Sequence, residues 1–177
     1  MVGAVLCGGA SRRMGVDKAT LPIAGTAMAR HVANALTDAG CSPVVTIGGS
    51  AGELDALGLE HVNDEFPGEG PLGGILTALA LGTPAVVVAC DLPNLRAATI
   101  KELIAALAGH DAAMAFSDRP EPLCAVWSAD AIPVLRAQFE SGERAVHRAI
   151  RTLDITSVTV SPTELRNINS PEDLGSL

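Results

Sequence analysis

Short apolar runs alternate with amphipathic stretches along this chain, and that alternation leaves few architectures open. The run at 85–89, AVVVA, has no polar position. A strand with one wet face would alternate, so this one must be covered on both faces, as in a parallel sheet between helical layers. Val2 to Leu6 and Pro43 to Ile47 read as further strands, followed by Gly8-Gly9 and Gly48-Gly49. Met28, Val32, Ala35, Leu36 and Ala39 share one helical face, stopped by Gly40. A weak helix is expected over Glu53 to Leu57 and a short strand at His61-Val62. Leu72 to Leu81 reads as a helix, with Pro71 near its start and Gly82 after its end. Ala98 to Ala108 is another, with Gly109 as its stop, and Ala129 to Phe139 and Ala145 to Ile150 follow the same pattern. Ala112 to Phe116, Leu123 to Trp127 and Thr156 to Val160 are strand candidates. Ser170-Pro171-Glu172-Asp173 has the N-cap, proline and acids of a helix start. The expected fold is α/β: one Rossmann-like domain over 1–177, three-layer α/β/α with a mostly parallel central sheet.

Composition narrows the function. Aromatic residues are 2% of the chain and Tyr is absent, which disfavours the stacking platforms of single-stranded nucleic-acid binders. A net charge of −8 argues against broad nucleic-acid binding. The basic residues are unevenly placed: Arg12, Arg13, Lys18 and Arg30 stand against Asp17 alone early in the chain, and residues 31–95 hold no Lys or Arg. An acidic protein with one early basic cluster suggests a focused anion site. Cys7, Cys41, Cys90 and Cys124 form no C-x-x-C pair, and three lie in or beside apolar strand-like runs. They read as small buried hydrophobes in a reducing compartment. With no secretory pattern at the start and no long apolar run, a soluble cytoplasmic protein without membrane contact is expected. His31, His61, His110 and His147 are scattered and read as surface or helix-packing residues.

Most of the chemistry is in the segment LCGGASRRMGVDK, residues 6–18, directly after the first strand. Gly8 and Gly9 lack side chains where a backbone must turn and approach a ligand. Successive N–H groups in such a turn make a nest for phosphate oxygens. Arg12 and Arg13 add forked donors, and Lys18 a mobile point charge. The adjacent glycines do not fit the dinucleotide fingerprint G-x-G-x-x-G. Gly15 is not followed by Lys-Ser/Thr, so this is not a Walker A loop either. Asp91 follows the 85–89 run at once. Ligands of open α/β sheets bind beyond the strands' carboxyl ends, and Mg²⁺ is held by one or two carboxylates plus substrate phosphates. Asp91 is therefore the candidate metal ligand, and Asp64, ahead of a Gly/Pro-rich loop, a second contact for metal, ribose or base. Both also fit plain turn chemistry. The glycines at 68, 70, 73 and 74 fit either an anion or base contact or close helix–sheet packing. Asn167 and Asn169 fit either ligand contacts or an Asx turn.

The 6–18 segment resembles the LAGG-x-S-x-RMG-x-DK signature of nucleotidyltransferases, and the chain is similar nearly end to end to the MobA type, which makes the guanine dinucleotide form of the molybdenum cofactor. NDEFPGEGPLGGI (63–75), VVVACDLPNL (86–95), SGERAV (141–146) and NINSPEDL (167–174) carry the rest of the likeness. Cys7 stands where the family usually has Ala, and Ile47-Gly48-Gly49 where it often has an Asn that can contact the base. The resemblance implies that Leu6, Cys7, Gly8, Gly9, Lys18, Asp64 and Asp91 bind nucleotide. It implies catalytic roles for Arg13, Lys18 and Asp91, Mg²⁺ on Asp91, and Asn169 on the acceptor side. The implied reaction moves GMP from GTP to the terminal phosphate of molybdenum-loaded molybdopterin. Cofactor-delivery proteins or molybdoenzymes would be further partners. Two alternatives stay open: a related enzyme using CTP or another phosphorylated acceptor, and a non-catalytic nucleotide-binding protein on the same fold.

Overall fold

The computed structural model describes residues 1–8 and 18–168. Of the residues singled out above, Gly9, Arg12, Arg13, Asn169 and the helix start at Ser170 lie outside that set. The order of elements follows the expected alternation. Strand β1 is Val2–Leu6, followed by a short 3₁₀ turn at Lys18–Thr20, a hairpin of β2 (Pro22–Ile23) and β3 (Thr26–Ala27), and helix α1 (Met28–Asp38). Next come β4 (Val44–Ile47), α2 (Ala51–Ala56), β5 (Glu60–Val62), α3 (Pro71–Leu81) and β6 (Ala85–Ala89). The remainder is α4 (Ala97–Ala106), β7 (Ala112–Phe116), β8 (Pro120–Trp127), α5 (Ala131–Glu140), α6 (Val146–Ala149) and β9 (Ile155–Thr159).

The central sheet has the order β5-β4-β1-β6-β8-β7-β9. The β5-β4-β1-β6 half is parallel throughout, and β8 is the one strand that runs against its neighbours. Every residue of β1 is buried, and Val86, Val87 and Val88 of β6 are fully covered, as an all-apolar strand requires. Successive side chains go to opposite faces. Val86 and Val88 pack with Val32 and Leu36 of α1, Leu54 of α2, and Ile100 and Leu103 of α4. Ala85 and Val87 pack with Leu72, Ile75 and Leu79 of α3, Leu135 of α5, and Val146 of α6. The three layers are complete. Helix α3 is buried from Leu72 to Leu79 on all sides, because α5 covers the face that the sheet does not.

Two features were not legible beforehand. One is the β2–β3 hairpin, turned by Ala24 and Gly25, both at positive φ, as a two-residue hairpin requires. His31 packs its Nε2 against the Ile23 carbonyl at 3.0 Å and ties this hairpin to α1. The other is the reversed direction of β8, which starts at Pro120 and not at Leu123.

Candidate active site

Chain order runs outward from β1 to β4 and β5, then returns across β1 to β6. The sheet's order therefore reverses between β1 and β6, and the crevice beyond their carboxyl ends is where this architecture binds ligands. Leu6, Cys7 and Gly8 leave β1 there. The Cys90 N–H donates to the Leu6 carbonyl at 3.1 Å and the Cys7 N–H donates to the Ile47 carbonyl at 2.9 Å, so the ladder continues past the strand on both sides. Leu6 and Cys7 are buried side chains, so both present main chain to the crevice. A small residue suffices at Cys7, which explains why Cys replaces Ala without disturbance.

Gly8 sits against Gly48. A Cβ on Gly48 would meet the Gly8 Cα at 2.9 Å and its N at 3.0 Å, and Gly48 also has φ +73°. The glycine after β4 thus lets the first loop lie against the end of β4. This is a structural reason for Ile47-Gly48-Gly49 in place of a base-contacting Asn.

Asp91 lies just beyond β6 and is half-buried. Its carboxylate caps no helix, since α4 begins at Ala97 with Arg96 as its N-cap residue. Burial pushes the Asp91 carboxyl above its usual range, while the Lys18 ammonium and its own backbone N–H hold it down. Lys18 is thus near enough to Asp91 to act on its charge.

Asp64 is placed by a different set of contacts. Its Oδ1 accepts from the Phe66 N–H at 2.9 Å and from the Thr77 hydroxyl at 3.1 Å. Thr77 is buried on α3 and also accepts from the Glu65 N–H. The 63–70 loop is thereby pinned to α3, and the glycines of that helix allow close contact. A Cβ at Gly73 would lie 2.8 Å from the Phe66 Cβ, and one at Gly74 would lie 3.1 Å from the Leu6 Cδ2. Packing accounts for Gly73 and Gly74.

Three supports escaped sequence reasoning. Arg144, in SGERAV, pairs with Glu69, lies 4.0 Å over the Phe139 ring, and donates to the Phe139 carbonyl at 2.7 Å. Phe139 in turn packs against Phe66 with the rings tilted at 58° and centroids 4.7 Å apart. The motif thus braces the 63–70 loop from the outside. Second, the 161–168 segment is docked on the β6–α4 connection. Glu164 accepts from the Arg96 guanidinium at 2.5 Å and the Thr99 hydroxyl at 2.6 Å, and the Ile168 N–H donates to the Asp91 carbonyl at 3.0 Å. Although burial pushes Glu164 up, these bonds outweigh it and hold its carboxyl below the usual range. Asn167 thereby comes to the same edge as Asp91. Third, Glu121 at the start of β8 is close enough to Asp91 for the two charges to interact. Burial pushes Glu121 up, against the Leu123 N–H and Arg119. The only sequence signal for it was its position between Pro120 and Pro122.

The fold is an open α/β sheet whose crevice at the switch point is where this architecture takes ligands. The family is more particular. The MobA-like NTP transferase domain matches residues 3–156, and the chain belongs to that family. It is 36% identical to a probable molybdenum cofactor guanylyltransferase of Opitutus terrae, over 98% of this chain and 92% of that protein. The likeness to the probable molybdenum cofactor guanylyltransferase of Mycobacterium tuberculosis is 32%, over 98% and 91%. Molybdopterin-guanine dinucleotide biosynthesis protein A from Archaeoglobus fulgidus superposes with a TM-score of 0.82 at 26% identity, covering 99% of this chain and 96% of that one. Among the described residues, no helix is long and apolar enough to cross a membrane.

Proposed function

We propose that this protein transfers GMP from GTP to the terminal phosphate of a molybdenum-loaded molybdopterin. An oxygen of the acceptor's phosphate forms a bond to the α-phosphorus, the bond from that phosphorus to the bridging oxygen breaks, and pyrophosphate leaves. The observation that carries the reading is Asp91 just beyond β6 at the switch point, with Lys18 near enough to act on its charge, in a chain whose relatives, matched over nine-tenths of their length, are probable guanylyltransferases by name.

Transfer of this kind is largely a matter of positioning and charge stabilisation, with no protein nucleophile needed. Among the described residues no cluster of three or more His, Cys, Asp or Glu could cage a metal. Mg²⁺ needs no such cage, since it takes one or two carboxylates and completes its shell with water and phosphate. Asp91 would hold it, and the ion would supply neutralisation of charge on the triphosphate. Lys18 would hold the leaving phosphates together with Arg13. The main chain of Leu6, Cys7, Gly8 and Gly9 would line the nucleotide, and Asp64 would use Oδ2 on the ribose or the guanine N–H edge. Asn169 would face the acceptor. The four cysteines are buried thiols, which suits a reducing compartment and a cytoplasmic enzyme.

Calorimetry with GTP, CTP, ATP and UTP in Mg²⁺, with pyrophosphate release in the presence of acceptor, tests the reading. GTP is expected to bind tightest and to turn over. A preference for CTP overturns the guanine assignment, and nucleotide binding without turnover overturns the enzyme.

A further inference from the structure

The acceptor side of the crevice contains an irregularity that the nucleotide chemistry does not use. Strands β7 and β8 pair regularly from Ala112↔Trp127 to Met114↔Ala125, and then the register jumps, with Ala115 opposite Glu121. Pro122, Leu123 and Cys124 are left over on β8. Pro122 has no N–H for the ladder, and a bulge is where a strand accommodates such a residue. Bulges beside active sites re-aim side chains. On its other side β8 still pairs with β6, with Cys124 opposite Val88, so this distortion falls where β6 runs out into Asp91.

The residue set in this distortion, Glu121, lines a cleft of about 330 Å³ together with Ser117, Asp118, Arg119 and Asn167. One wall is the β7–β8 turn. The other is the segment that Glu164 docks and that reaches the Asp91 carbonyl through Ile168. Among the described residues the Glu121 carboxylate accepts one long bond, from the Leu123 N–H at 3.4 Å to Oε1. Arg119 offsets the two carboxylates, so the cleft's polarity is mixed and suits a polar heterocycle.

Resting on the acceptor reading above, we propose that Glu121 is a specificity-determining residue that reads the ring of a pterin acceptor. A pterin carries a 2-amino-4-oxopyrimidine whose N3–H and 2-amino N–H are parallel donors. A carboxylate offers two parallel acceptors, and such charge-assisted bidentate pairs are the strong, geometrically selective kind. With the ring there, the side chain on its far end reaches back toward Asp91, where the terminal phosphate must meet the nucleotide. A lumazine, with oxygen in place of the 2-amino group, sets an acceptor against the carboxylate. A glutamine at 121 reverses this: its C=O accepts from N3–H and its NH₂ donates to the 2-oxo group.

Binding of 6-hydroxymethylpterin and 6-hydroxymethyllumazine to the full chain, in GTP and Mg²⁺, provides the test. Wild type should prefer the pterin by about tenfold or more, a site built for N–H donors being selective against analogues that lack them. Glu121→Gln should lose or invert that preference and raise the acceptor KM by a similar factor, with the GTP Kd within about twofold of wild type. A merely structural role would not exchange one ring for the other. A wild-type preference that Glu121→Gln leaves unchanged overturns the role of Glu121 alone. Tight GTP binding with no pterin preference in wild type overturns the pterin acceptor itself, and the inference with it.

Discussion

Asp91 follows β6, which pairs with β1 with Leu6 opposite Ala89, and Lys18 is near enough to act on its charge. Neither side chain belongs to the buried core, so their substitution should separate chemistry from folding. Lys18→Ala should lower kcat/KM about ten- to hundredfold, the value of one charge-assisted bond to phosphate realised at the transition state. Asp91→Ala should abolish turnover at limiting Mg²⁺. Steady-state kinetics with far-UV CD and thermal melts on both variants checks this, and the melts should stay near wild type. Turnover of Asp91→Ala within a few-fold of wild type would sink its place at the metal. Arg13 was read from sequence as a partner of Lys18 on the phosphates, and Arg13→Ala belongs in the same series.

At the scale of elements, the 63–70 loop and α3 behave as one piece. Asp64, Thr77, Gly73 and Phe66 interlock, and Arg144 closes the outside. The sequence marked GPLGG as either a ligand site or a packing site, and the close approach to Phe66 and Leu6 supplies the packing reason. Gly73→Ala should therefore be destabilising by about 1–3 kcal/mol, as an overpacked contact is, because the clashing atom is a Cβ fixed to the backbone. It should also weaken GTP binding by displacing Asp64. Gly52, in α2, is the control: nothing lies within 4 Å of its added Cβ and its φ is not positive. Gly52→Ala should stabilise by about 0.4–1 kcal/mol through the unfolded chain. Urea unfolding of the two variants, with GTP calorimetry, decides it. Equal effects would mean that Gly73 is not a packing glycine.

For the molecule as a whole, two carboxylates that prefer to be ionised hold separate pieces in place: Glu164 docks the far end of the described chain on Arg96 and Thr99, and Glu143 ties the start of α6 through Arg148 and the Ala145 N–H. Glu164 sits below its usual range despite burial, and Glu143, bonded first by Arg148 and then by the Ala145 N–H, is held at about 2. Both shifts are downward, so the stability they contribute is complete above the ordinary glutamate value of 4.5 and is lost as pH falls through the folded values. Glu164→Gln should cost about 1–3 kcal/mol at pH 7, within the range for hydrogen bonds to a charged group. The gap from wild type should narrow on going to pH 3, as the native carboxylate protonates. Thermal melts across that range read it directly, and a gap that does not change with pH would remove the ionic account of this dock.

Local rules were enough for most of the fold. All-apolar runs, helical spacing, and Gly and Pro punctuation act over a few residues, so β1, β6, α1, α3 and α4 could be placed from their own letters to within a residue or two. The placement of Asp91 directly after β6 was legible for the same reason, since strand and acid are contiguous. Pairings between distant segments were not. The reversal of β8, the Gly8–Gly48 approach, the Arg144 brace and the Glu164 dock each join residues whose individual letters fit many environments. Only the tertiary structure, by deciding which strands lie side by side and which carboxylates are shut away from water, turned Glu164 into an anchor and put Glu121 in the cleft with Asn167.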